Sequence, residues 1–123
     1  MSEASDPPDF RIRILFGPGA MMGPGKAELL ERIARTGSIA AAGREMKMSY
    51  KRAWQLVETM NAMFRAPVVE SSRGGAKGGG ARVTETGAEV LEAYRALEAE
   101  ARAAGGGQAR RLQQLLADIP DGK

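Results

Sequence analysis

Residues 36–64 read TGSIAAAGREMKMSYKRAWQLVETMNAMF. Two short helical patterns meet here at a tight turn, Lys47-Met48. Each pattern opens on a serine, Ser38 and Ser49, whose hydroxyl can accept from a backbone N–H at a helix start. Ile39, Ala42 and Met46 give the first helix one buried side, and the alanines at 40–42 with Gly43 keep it slim enough for a close neighbour. Farther on, RGGAKGGGAR spans Arg73–Arg82, a glycine-rich loop with three cations and no acid. A helix-turn-helix followed by a basic hairpin predicts an α+β, mostly helical domain, a winged helix-turn-helix with a β-hairpin wing. That arrangement puts one helix in a DNA major groove and the loop on the phosphate backbone.

The second helix, read as 49–64, divides cleanly by angle. With Ala53 at zero, Val57 falls at about 40°, Met60 at about 340° and Phe64 at about 20°, a buried stripe. Lys51 at about 160°, Gln55 at about 200° and Arg52 at about 260° point the other way. An amide and two cations suit base edges and phosphates. Ser49 and Lys47 precede them at the end that enters the groove, and Tyr50, on the flank, reaches a phosphate through its hydroxyl. Trp54 is read as packing against a neighbouring element. The expected DNA-contacting set is therefore Lys47, Ser49, Tyr50, Lys51, Arg52 and Gln55, with Arg73, Lys77 and Arg82 from the wing.

The wing's five glycines, Gly74, Gly75, Gly78, Gly79 and Gly80, invite comparison with a phosphate-cradling nucleotide loop. No Gly-Lys-Ser/Thr follows, and the loop lies between two short strands rather than before a helix, so that reading fails.

Around this centre, Phe10, Ile12, Ile14 and Phe16 alternate with Arg11, Arg13 and Leu15, which predicts a strand with one buried face. Turns follow at Gly17-Pro18-Gly19 and Gly23-Pro24-Gly25, with Ala20–Met22 between them as an ambiguous short strand. A helix from about Lys26 to Arg35 carries Leu29, Leu30, Ile33 and Ala34 on its apolar face and stops at Gly37. After the wing, Thr86 is placed as the cap of a long helix in which Val90, Leu91, Tyr94, Leu97 and Ala101 recur at helical spacing. Gly105-Gly106-Gly107 is read as its end, and Leu112–Ile119 as a short amphipathic helix. The expected division is a disordered tail at 1–9, a DNA-binding domain with its dimerisation helix at 10–104, and a linker with a tail at 105–123.

Composition narrows the function classes. The chain has 123 residues, no cysteine and no histidine, which removes thiolate chemistry, imidazole bases, disulfides and zinc fingers. The glutamates at 89, 92, 98 and 100 read as the solvated face of the long helix, and no catalytic or metal-binding set is found. No run of about 18 apolar residues exists, and the acidic, proline-bearing start is unlike a signal peptide, so a cytoplasmic protein without a membrane partner is expected. Net charge is +3, but residues 44–82 hold eight cations against three anions, whereas 83–104 hold two against five. Positive charge thus gathers at the turn, the second helix and the wing, the footprint of a protein with one DNA-facing side.

These same residues resemble a known family. GPGKAELLERIARTGSI, AAGREMKMSYKRAWQLVETMN, GGAKGGGA and the Thr-Glu-Thr-Gly at 84–87 are similar to the N-terminal domain of ModE-type molybdate-responsive transcription regulators, itself related to the LysR-type winged helix. The likeness covers about Phe10 to Ala104. It implies a homodimer paired through Lys26–Arg35 and the long helix, with Leu30, Leu91, Tyr94, Leu97 and Ala101 at the interface. The same likeness sets Ser49, Tyr50, Lys51 and Gln55 at the start of the recognition helix and Lys77 at the wing tip.

Full-length members carry paired β-barrel domains that bind the oxyanion, with a Ser-x-Arg-Asn type signature that this chain lacks. No cofactor is therefore expected here. Molybdate or a related oxyanion enters only through the family, and a partner protein is the alternative source of an effector response.

The function expected is a dimeric regulator of transcription, not an enzyme, that binds a palindromic site in double-stranded DNA. The rival is a protein–protein adaptor built on the same fold.

Overall fold

A computed structural model describes the backbone of residues 6–75 and 78–117 and the side chains of 6–71 and 80–117. In chain order the elements are β1 (Ile14–Gly17), β2 (Ala20–Met22), α1 (Pro24–Thr36), α2 (Ile39–Glu45), α3 (Tyr50–Met63), β3 (Val69–Gly75), β4 (Gly78–Val83) and α4 (Glu85–Gln114). The strands form two separate antiparallel hairpins, β1–β2 and β3–β4. The order is that of a winged helix, with β3–β4 as the wing and α4 as the long C-terminal helix.

The core lies where α1, α2 and α3 meet beneath the base of the wing. Leu29, Leu30, Ile33, Ala42, Ala53, Val57, Met60 and Val68 are fully buried there. Gly43 lets α2 and α3 close on each other: a Cβ at that position would stand 3.0 Å from the Cβ of Ala53. The wing is tied to the helices through the α1–α2 turn, where the Ala81 amide donates to the Gly37 carbonyl at 2.9 Å. Asn61, a residue the helical pattern left unassigned, fastens the other side. Its Oδ1 accepts from the amides of Val68 and Val69 at 2.7 and 3.2 Å, and its Nδ2 donates to the Val69 carbonyl at 3.1 Å.

Several expectations need correction. Ala34 is exposed, and Ala27 takes its place in the core, about 10 Å nearer the N-terminal end of α1. The expected strand Phe10–Phe16 is paired only from Ile14, where Ile14 faces Met22 and Leu15 faces Met21; Phe16 lies exposed. The cap of α4 is Thr84, not Thr86. The Thr84 hydroxyl accepts from the Gly87 amide at 3.0 Å and donates to the Pro67 carbonyl at 2.6 Å, and its own amide donates to the Val68 carbonyl at 2.9 Å. Two anchors on the preceding loop select it over its neighbour two residues on.

The three glycines at 105–107 do not end α4, which runs unbroken to Gln114. Each glycine costs about 1 kcal/mol relative to alanine in a helix, a weak penalty that tertiary contacts can offset. Those contacts are present. The Phe10 ring lies against Gly105, where an added Cβ would stand 3.3 Å from its edge. The Asp6 carbonyl accepts from Arg110 at 3.1 Å and from Gln113 at 3.3 Å. Pro7, Pro8, Asp9 and Phe10 form one wall of a hollow whose other wall is α4 at Arg102, Gly106, Gly107 and Arg110. Part of the expected N-terminal tail is thus laid along the helix; residues 1–5 lie outside the described residues. The expected tail helix does not form as a separate element: Leu112–Gln114 belong to α4, Leu115 caps it, 116–117 are not helical, and 118–119 lie outside the described residues.

Tyr94 joins the start of the chain to α4 through its hydroxyl, which donates to the Ile12 carbonyl at 2.6 Å. Burial, and then the carboxylate of Glu98, raises its pKa above the ordinary tyrosine value. The unfolded chain ionises this phenol near pH 10, whereas the folded chain holds it neutral. Its contribution is therefore complete below about pH 10 and is lost as pH rises above that. In denaturant titrations between about pH 9 and pH 11, the unmodified protein should lose more stability than Tyr94→Phe; equal losses would show that the phenol does not titrate with unfolding.

Candidate nucleic-acid interface

The turn between α2 and α3 is built by the backbone. The Met48 amide returns to the Gly43 carbonyl at 3.0 Å, and Lys47 takes a left-handed conformation with φ 61°. Ser38 caps α2 by accepting from the Ala41 amide, and Ser49 caps α3 by accepting from the Arg52 amide, each at 3.0 Å. The Ser49 oxygen, expected at DNA, thus already serves the helix; its O–H proton remains a donor.

Ala53, Val57 and Met60 are fully buried, so the orientation of α3 is set. Trp54 is half-buried and packs against the core, as its flank position suggested. Lys47, Ser49, Tyr50, Lys51, Arg52 and Gln55 are all exposed along the turn and one side of α3, and Glu58 follows one turn on. Arg82 is exposed on the wing and pairs across the hairpin with Glu70 at 2.7 Å. The Arg73 side chain and the whole of Lys77 lie outside the described residues.

Charge pairing differs between the helix network around α1 and the start of α3. Arg32 bridges Glu28 and Glu45, and Arg35 joins Glu45 as well, so these two guanidinium groups hold the Glu45 carboxyl below its ordinary pKa. Arg95 binds Glu31 at 2.9 Å and Glu98 at 2.7 Å, which raises its own pKa. By contrast, Lys47, Lys51 and Arg52 form no ion pair with a described carboxylate.

Beside Arg52 the structure brings in two cations that sequence reasoning left out. A hollow of about 360 Å³ is lined by Arg13 before β1, Lys26 in the first turn of α1 and Arg52 in the first turn of α3, with Met21, Met48 and Leu56 among its apolar walls. Lys26 Nζ donates to the Met21 carbonyl at 2.8 Å. Burial chiefly, then Arg52 and Arg13, pulls its pKa below the ordinary lysine value. Residues 1–43 hold five cations and five anions, so neither Arg13 nor Lys26 stood out as part of a basic cluster.

The positions expected at a dimer interface divide differently. Leu30 is fully buried and Tyr94 is 3% exposed, so both are used within the protomer's own core. Leu91 and Ala101 are half-buried, and Leu97 is 37% exposed. Leu97 also borders an apolar groove of about 370 Å³ between α4 and the first hairpin, with Ile14, Phe16, Met22, Phe64 and Val90.

Comparison with known proteins agrees with this architecture. Residues 25–88, just over half of the chain, match the model of the bacterial regulatory helix-turn-helix proteins of the lysR family. The molybdenum-pterin-binding protein MopB of Rhodobacter capsulatus is 49% identical over 86 residues, 70% of this chain and 32% of that protein. The molybdenum transport protein ModE of Azotobacter vinelandii is 37% identical over 104 residues, 85% of this chain and 37% of that one. The DNA-binding transcriptional dual regulator ModE of Escherichia coli K12 is 37% identical over 71 residues, 58% and 27% of the two chains. The chain thus spans about a third of the length of the curated relatives it matches. With its turn, capped second helix and wing all inside the matched span, the chain belongs to the lysR family of bacterial regulatory helix-turn-helix proteins.

Proposed function

We propose that the protein regulates transcription by binding double-stranded DNA in a sequence-specific manner as a homodimer, with α3 in the major groove and the β3–β4 wing on the backbone. The observation that carries this reading is the partition of charge. Arg32, Arg35 and Arg95 are neutralised by carboxylates of α1, α2 and α4, whereas the exposed Lys47, Lys51 and Arg52 gather at the start of α3 with no ion pair to a described carboxylate. An unpaired basic face offers its charge to phosphates, which shed counterions on contact. Membership of a regulatory helix-turn-helix family supports the same reading, as does the E. coli relative named a DNA-binding regulator. Among the described residues, no helix is long and apolar enough to cross a membrane.

Leu97, Phe16 and the apolar groove support the homodimer, because contiguous exposed apolar surface marks an interaction site. Two-fold pairing would set two α3 helices about 34 Å apart on one side of the duplex and so call for a palindromic operator.

Gln55 tests the groove assignment, being an exposed amide among cations on α3. With an operator selected from genomic fragments, Gln55→Ala should lose about 1–3 kcal/mol of discrimination between operator and random DNA. Undiminished discrimination in that variant would refute the placement of α3.

A further inference from the structure

We propose that the hollow between β1, the start of α1 and the first turn of α3 seats a single phosphate group of the DNA backbone, held by Arg13, Lys26 and Arg52. The inference rests on the DNA-binding reading above and adds to it a contact on a different part of the chain.

Three cations line this hollow and no carboxylate does. None of the three is paired with a described acid elsewhere. The three cations share one hollow with Met21, Met48 and Leu56, and after burial itself the nearby charges of Arg52 and Arg13 lower the Lys26 pKa further. An anion placed among them reverses the sign of each interaction.

The backbone adds to the site. No side chain caps α1, whose N-cap is Gly23, and the space around Gly25 is open. Pro24 opens this 13-residue helix without an N–H, so the donors its start offers are the amides of Gly25 and Lys26, two residues that line the hollow. Lys26 spends one ammonium proton on the Met21 carbonyl and keeps two for a ligand. At about 360 Å³ the hollow admits a tetrahedral oxyanion with its hydration partly retained.

Arg52 identifies the source of that anion. It stands on the first turn of α3, the helix assigned to the groove, so the hollow lies at the edge where a backbone strand borders that groove. A free inorganic oxyanion shares the chemistry, and the experiment separates the two.

DNA affinity is measured across a range of salt for the unmodified chain, Arg13→Gln, Lys26→Gln and the double variant, with thermal melts to verify folding. Each single variant should weaken operator and random DNA by a similar factor, about tenfold, and lower the salt slope by about one. The double variant should also lose about one, not two, because both side chains hold the same phosphate. Arg13→Lys, which keeps the charge, should restore the slope.

Unchanged slopes in both single variants overturn the proposal. So does a double variant that loses about two, which would mean separate phosphates on a diffuse basic face. Saturable binding of inorganic phosphate by the DNA-free protein, with the DNA slope untouched by either variant, assigns the hollow to a free ion instead. Failure of the unmodified chain to bind DNA at any salt would remove the DNA reading itself, a result distinct from all of these.

Discussion

Gly87→Ala is expected to destabilise the protein by about 3 kcal/mol, among the largest effects a single methyl can have. Gly87 sits in the first turn of α4, where its amide donates to Thr84 Oγ1 at 3.0 Å. The helix starts hard against the strand it follows. A Cβ at this position would overlap the Val68 carbonyl oxygen and stand 2.7 Å from Val83 Cγ1. The Val68 backbone is not free to yield. The Val68 carbonyl accepts from the Thr84 amide, and the Val68 amide is held by Asn61. The gain in helix propensity from alanine, about 1 kcal/mol, is too small to offset this clash. In urea titrations the midpoint should fall by about 1 M or more with little change in slope. A midpoint within about 0.2 M of the unmodified protein would show that the α4 start relaxes freely.

Leu97→Glu is expected to convert a dimer to a monomer and to reduce operator affinity on the order of 100-fold or more, the advantage lost when two linked half-sites become independent. Leu97 is 37% exposed at the rim of the groove it shares with Ile14, Phe16, Met22 and Phe64. A carboxylate there would have to be desolvated for the apolar surfaces to meet. Because Leu97 is outside the fully buried core, the protomer itself should fold with its melting temperature little altered. Sedimentation at micromolar concentration provides the check. An unmodified chain that sediments as a monomer, or a Leu97→Glu chain that stays dimeric, would show that the groove is not the pairing surface.

How far the chain could be read from its letters depended on the range of the interactions involved. Ser38 and Ser49 were legible as caps because a cap acts on an amide three residues away. The exposed side of α3 was legible because helical angle alone separates Gln55 from Val57.

What was hidden depends on partners distant in sequence. Asn61 looks like one more polar residue on α3 until Val68 and Val69 arrive beside it. Thr84 and Thr86 are equivalent candidates until the Pro67 and Val68 carbonyl and amide groups choose between them. Arg13 and Lys26 belong to separate elements and join Arg52 only when the hairpin folds over α1. Glycine composition misled at 105–107, because the Phe10 ring that braces the helix comes from the far end of the chain.

That brace also orders events in time. Arg110 and Gln113 meet Asp6 across 104 and 107 residues of sequence, whereas the bonds that seat Asn61 on β3 span only seven or eight. Closing so long a loop carries a larger entropic toll, and contacts of this range form late. On a ribosome that makes the chain from its N-terminus, Asp6 must wait until Arg110 and Gln113 have been synthesised. The helix-turn-helix and wing, complete by Val83, can assemble while α4 is still emerging. Residues 6–10 are thus made before the helix-turn-helix yet are among the last of the described residues to find their place.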